Sequence, residues 1–339
     1  MNIGFRSITL GLACVGFFTA AAVKAAAPAQ PRKVAILLFN NVEIIDYTGP
    51  YEVFAAQGYE VFTVAESKSP ITTAAGMQVI PTYTFADAPR ADLLLIPGGG
   101  VKVVKNDKPT IEWIKQESTK AEHVMSVCNG AFILANTGLL NGLTVTTTAH
   151  NINPLRLEHP ELRVVRDQRV VDNGKFITAG GLSAGIDGAL HYVSLMDGKA
   201  EAQEVARYLE YDWQPNGQYL PATYAIYTLP ERQASAQLAK FGDWGSMVST
   251  GGDREHWSRV QRVSSQLGPA ELIDAAGKAY GAAGNWIAVT TGRSSSTWRF
   301  VDLDGQAWVA TLSVATAGVD AADKQRNQYL FKVELARAS

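Results

Sequence analysis

Between Lys33 and about Leu195 the chain alternates short, continuous apolar runs with stretches of helical spacing, and this alternation constrains the fold more than any other feature. Lys33-Val-Ala-Ile-Leu-Leu-Phe39, Tyr59-Glu-Val-Phe-Thr-Val-Ala65, Asp92-Leu-Leu-Leu-Ile-Pro97 and the run ending at Cys128 read as strands. Pro50 to Gln57, Thr110 to Ser118, the segment after Cys128 through Leu140, and Ser183 to Met196 read as helices. Strands that are apolar at consecutive positions must be covered on both faces. Such strands, separated by helices, give an α/β fold with a doubly wound parallel sheet. Val164-Val165 with Arg169-Val170-Val171, and Lys175-Phe-Ile-Thr-Ala179, read as a hairpin around Asp172-Asn173-Gly174.

From about Gln233 the pattern changes. Arg254 to Lys278 reads as helical, and four later segments alternate with period two: 286–291, 296–302, 307–313 and 329–335. A helix followed by a run of strands predicts a small α+β domain. Trp244, Trp257, Trp286, Trp298 and Trp308 crowd into it. Each tryptophan buries a large area, so a core or sheet-face role is expected rather than a ligand cage.

The N-terminus is basic at Arg6, then apolar and uncharged from Ile8 to Val23, then rich in alanine around Ala25 and Ala26. This is the pattern of a cleavable signal peptide over residues 1–26, and its apolar core is shorter than a membrane span. The expected location is periplasmic or secreted. The remaining organisation reads as an α/β domain over 32–213, a linker over 214–237 and the small α+β domain over 238–339. A formal net charge of -2 excludes the clustered basic surface of a nucleic-acid or membrane binder. No Cys/His spacing marks a structural metal. No cofactor is expected.

Signal cleavage would also remove Cys14, leaving Cys128 as the single cysteine. A lone thiol in an oxidising compartment has no partner and is a candidate reactive group. Its setting, Met125-Ser-Val-Cys-Asn-Gly-Ala-Phe132, reads as a strand, a sharp turn and a helix, the geometry of a nucleophile elbow. A thiol before a helix N-terminus is expected to be partly accessible and to have a depressed pKa. A buried structural cysteine is the competing reading. Asp46 and the Gly98-Gly99-Gly100 turn also follow strand ends, where α/β sheets carry their sites.

Five motifs in order then carry a resemblance. Asp46-Tyr-Thr-Gly-Pro50 with Glu52-Val-Phe54, Ile96-Pro-Gly-Gly-Gly100, Ser126-Val-Cys-Asn-Gly130, Val171-Asp-Asn-Gly-Lys175, and Gly181-Leu-Ser-Ala-Gly-Ile-Asp-Gly-Ala-Leu-His191 resemble the ThiJ/PfpI (DJ-1/PfpI) family over roughly Lys33 to Trp213. That family belongs to the class I glutamine-amidotransferase-like superfamily. The closest branches look like isonitrile hydratase and the amidase-like domains of AraC-type regulators. The resemblance implies a flavodoxin-like sandwich, a nucleophile at Cys128 and an acidic partner at Asp46. It implies hydration or hydrolysis of a small carbon–nitrogen substrate, and a homodimer. Gly98, Gly99 and Gly100, with Asn129 and Gly130, are expected to bind substrate or form an oxyanion-type hole.

Three departures qualify the match. Isonitrile hydratase has threonine after the cysteine and PfpI-type peptidases have histidine, where this chain has Asn129. A family histidine follows a Thr-Thr pair, where Thr146-Thr147 is here followed by Thr148, with His150 nearby as a further candidate. Glyoxalase- or deglycase-like chemistry usually employs a glutamate and a histidine beside the thiol, and is an alternative reading. A non-catalytic redox sensor using Cys128 is another.

Overall fold

A computed structural model describes residues 30–215, 223–319 and 327–338. The expected signal peptide and part of the expected linker lie outside the described residues. From Arg32 onward the chain forms one compact unit with two apolar cores.

The first core surrounds a seven-stranded sheet. Its order is Val170–Asp172, Phe176–Ala179, His123–Val127, Leu93–Ile96, Lys33–Leu37, Glu60–Ala65 and Tyr83–Thr84. Every neighbouring pair is parallel except the first, the hairpin expected at Asp172-Asn173-Gly174. That turn closes with Gly174 N–H donating to Asp172 Oδ1 at 2.7 Å. Val164, read into the hairpin, instead pairs in parallel with Val145. Leu93, Leu94, Leu95 and Ile96 are all buried, as consecutive apolar positions require.

Helices flank this sheet. Lys108–Lys120 begins where Asp107 accepts from Thr110 N–H at 2.9 Å, with proline in the first turn. Ile44–Ala56 starts six residues before the expected Pro50, so Pro50 stands inside the helix, where it cannot donate to the Asp46 carbonyl four residues back. This shift puts Asp46 in the first turn of a helix rather than in a turn before one.

The second core lies under a six-stranded antiparallel sheet. Its order is Asp243–Gly252, His256–Ser265, Asn327–Arg337, Ala307–Val319, Ser295–Val301 and Ile287–Thr290. Helix Pro269–Gly284 brings Leu272, Ile273, Ala276 and Tyr280 into the core with Trp298, Phe300 and Phe331. Trp286 stacks between Tyr280 and Phe300, with centroids 5.0 and 5.2 Å away. The expected helix over Arg254–Lys278 needs correction: its first half is strand His256–Ser265, held between two partner strands. The helix starts only at Pro269, after Gly268. Ala225, Leu229 and Ala234, inside the expected linker, are buried in this second core.

Candidate active site around Cys128

Cys128 is the first residue past strand His123–Val127. Its φ is +60°, in the left-handed region that a β-carbon disfavours. Hydrogen bonds fix this strained turn on both sides. Its N–H is shared by the carbonyls of Ala179 and Gly180 at 3.1 and 3.0 Å, and its carbonyl accepts from Thr147 Oγ1 at 2.7 Å. Helix Gly130–Asn136 follows at once. Gly130 lies under the end of the adjacent strand, where a β-carbon would stand 2.4 Å from the Ile96 carbonyl oxygen. This is the elbow read from the sequence, and glycine is what lets it close.

Asp46 is fully buried, and its carboxyl lies close enough to the Cys128 thiol for each to shift the other's proton affinity. Its Oδ1 accepts from Leu182 N–H at 2.9 Å and its Oδ2 from Gly98 N–H at 3.2 Å. Burial lifts the carboxyl from 3.8 to about 6, against the opposing pull of those donors. The thiol is only 9% exposed, and it too is pushed up, by burial first and then by the Asp46 charge. The expected depressed thiol pKa is therefore corrected. The helix behind the thiol is short, and a buried sulfur facing a carboxylate favours the protonated form. Burial and the neighbouring carboxylate both favour the proton on sulfur.

The glycine turn also departs from expectation. Gly98 N–H is bound by Asp46, Gly99 N–H donates to Asn129 Oδ1 at 2.7 Å, and Gly100 N–H donates to the Asn41 carbonyl at 2.7 Å. All three donors are spent on the protein, so the turn shapes the site without offering an anion hole. The backbone N–H that faces the sulfur is that of Asn129. The Asn129 side chain is fully engaged as well: its Nδ2 donates to the Gly99 carbonyl at 2.8 Å while its Oδ1 accepts from the Gly99 N–H. Gly98 must be glycine, because a β-carbon there would lie 2.2 Å from Asn129 Oδ1 and 2.8 Å from Asp46 Oδ2.

His150 is not brought to the thiol-flanking position. It is exposed on the turn Ala149–Asn151, and its ring meets Tyr227 edge-on at 5.1 Å. Thr148 flanks the sulfur instead: the point where a β-carbon would sit on Gly181 is 2.8 Å from Thr148 Oγ1 and 3.0 Å from Cys128 Sγ. Sequence reasoning missed Thr147, Thr148 and the Gly181-Leu182 turn. Leu182 also has a left-handed φ, +57°, while its N–H reaches Asp46 and its side chain is 51% exposed. The turn follows strand Phe176–Ala179, so the rule that sites gather at strand ends would have found it. Among the described residues, no three His, Cys, Asp or Glu side chains cluster as metal ligands.

The family model for the DJ-1/PfpI family matches residues 32–195, the region that carries this site. Isonitrile hydratase of Pseudomonas putida is 38% identical over 183 residues, covering 53% of this chain and 78% of that protein. The transcriptional regulator GbdR of Pseudomonas aeruginosa is 20% identical over 190 residues, covering 54% of this chain and 52% of its own. Among solved structures, a ThiJ/PfpI family protein from Pseudomonas syringae has a TM-score of 0.51 at 29% identity, over 56% of this chain and 78% of that one. The matched fold, the strained cysteine elbow and the long match to a relative well above 30% identity agree, and the chain belongs to the DJ-1/PfpI family.

Proposed function

We propose that this protein hydrates a small isonitrile to its N-substituted formamide, with Cys128 as nucleophile and Asp46 as proton carrier. The observation that carries this reading is the buried Cys128–Asp46 pair, which holds one labile proton between a sulfur and a carboxyl near pKa 6. The similarity to isonitrile hydratase supports the substrate class. An isonitrile carbon needs both a new bond from a nucleophile and a proton. As the S–C bond forms, Asp46 takes the thiol proton and passes it to that carbon, giving a thioimidate on Cys128. Water then adds across the C=N bond, its proton removed by Asp46 while nitrogen is protonated. Collapse expels the sulfur, which regains its proton, and releases the formamide.

A carboxyl near pKa 6 suits this exchange, since it can both accept and return a proton close to neutral pH. Asn129 N–H, facing the sulfur, would steady charge on it in each step. The redox-sensor reading is weaker on the same observation. Oxidants attack thiolate, and this thiol is held protonated. Glyoxalase-like chemistry is weakened by Thr148, which stands beside the sulfur where a histidine is needed.

The test is mass spectrometry of the protein mixed with a simple alkyl isonitrile, beside Cys128→Ala. The expected result is a Cys128 adduct that decays to alkylformamide in the wild type alone. No adduct and no formamide in the wild type would overturn the proposal. We further propose that residues 1–26 direct export, and N-terminal sequencing of the mature protein beginning near Ala26 or Ala27 is the expected outcome.

A further inference from the structure

Residues of the two domains border a cavity of about 320 Å³ whose lining includes neither Cys128 nor Asp46. One wall comes from the turn and helix running from Ala149 to Leu157, the other from 226–230, 284–285 and 300–303 of the second domain. The size and the place, at a domain junction, are those of a small-molecule site. The junction is fastened without a ligand: Asp304 pairs with Arg156 at 2.6 Å and with Arg166 at 2.9 Å.

The lining holds no lysine, arginine or glutamate, and its histidine, His150, packs edge-on against Tyr227. Its carboxylate, Asp302, is already satisfied. Oδ1 accepts from the N–H groups of Asp304 and Gln306, and Oδ2 from Trp308 Nε1, each at 2.9 Å. An ion entering would lose its water and meet no spare opposite charge, which is costly. An apolar occupant meets the reverse situation. Leu157, Val301 and Leu303 line the cavity and are 62%, 61% and 52% exposed, so apolar surface is waiting to be covered.

We propose that this cavity binds an uncharged, mostly apolar organic molecule, at a site whose lining does not include the thiol. The uncharged naphthalene ketone prodan, whose emission shifts blue in apolar surroundings, has that chemistry and serves as the probe. The experiment is a fluorescence titration of the full chain with prodan. The expected result is saturable binding at one molecule per chain, retained after Cys128 is blocked with iodoacetamide. Leu157→Asp and Leu303→Asp, both exposed and therefore tolerated by the fold, should each weaken binding at least about tenfold. Ile80→Asp, 69% exposed and outside the lining, should leave it unchanged. Absence of saturable binding, binding that both cavity variants leave intact, or binding abolished by blocking Cys128 would each overturn the proposal.

Discussion

The parallel sheet of the first domain is covered on both faces and ends in irregular backbone, whereas the antiparallel sheet of the second pairs strand to strand and packs one helix against it. The difference is visible in where the chain tolerates a left-handed residue. In the first domain Asn41, Cys128, Leu182 and Glu210 have positive φ: Cys128 is the nucleophile candidate, Leu182 donates to its neighbour Asp46, Asn41 accepts from Gly100 in the glycine turn, and Glu210 ends a helix away from them. In the second domain Asn285 is the non-glycine residue of this kind among those described, and it caps a helix, an ordinary place for asparagine. Strained backbone persists only where surrounding contacts over-determine it. Cys128 and Leu182 thus set the thiol-bearing end of the first sheet apart from the regular backbone of the second.

The strongest way to break this comparison is Cys128→Ala. Removing a nucleophile typically costs on the order of 10⁴–10⁶ in turnover. Formamide production should fall by that order while thermal unfolding changes little. Activity persisting in this variant would return Cys128 to the status of a core residue.

Asp46→Asn should cost about 10²–10⁴ in turnover, the range of a lost general acid–base. It also turns an amide toward the N–H groups of Leu182 and Gly98, so a stability loss of about 1–3 kcal/mol is expected beside it. The pH dependence separates the two effects. The Asp46 carboxyl is raised in the fold, from 3.8 to about 6, so the native state holds its proton longer than the unfolded chain does. Its contribution to stability is therefore complete below about pH 3.8 and is lost as pH rises through about 6, a span worth about 3 kcal/mol at ~1.4 kcal/mol per unit. Urea titrations at pH 4.5 and 7.5 should show a fall for the wild type that is smaller in Asp46→Asn. In the same window, wild-type turnover should rise with pH as the carboxylate forms.

Phe331→Ala sharpens the comparison from the other side. Phe331 is among the most buried side chains of the second core, and its truncation should cost about 3–5 kcal/mol. Denaturation followed by tryptophan fluorescence should report that loss, while iodoacetamide labelling of Cys128 in the native protein stays unchanged. Faster labelling would mean that the two regions share one cooperative unit. The smallest effect belongs to Arg156→Ala. It removes the ion pair with Asp304, while Arg166 keeps the second one, and it also removes the two donations to the Val164 carbonyl at 2.9 and 2.8 Å. A change of about 1–2 kcal/mol in urea denaturation is expected.

The first domain was legible because its signals are local. Consecutive apolar residues gave its strands, and the Cys128 elbow follows from a strand running into small residues. The thiol's environment was not legible, because it is set by residues distant in sequence. Asp46, Gly98 and Leu182 come from three segments, and no local pattern announces that they bury one carboxyl. The second domain misled where tertiary pairing overrode pattern. His256–Ser265 carries a mixture of polar and apolar residues that reads as helix, yet its place between two strands decides its form. Asp243–Gly252, an edge strand poor in buried side chains, carries almost no period at all.

The ring that Asn129 closes on Gly99 bears on how this lineage can change. Both backbone groups of one residue depend on a single side-chain amide, which presents its donor and its acceptor on two separate atoms. Exchanging it for the threonine or histidine that relatives resembling this chain carry would strand at least one of those groups. An ancestor crossing between these states would pass through a handicapped intermediate unless the glycine turn altered first. Position 129 and the turn at 98–100 are thus expected to evolve as a linked pair, and a laboratory attempt to graft one activity onto the other should move both segments together.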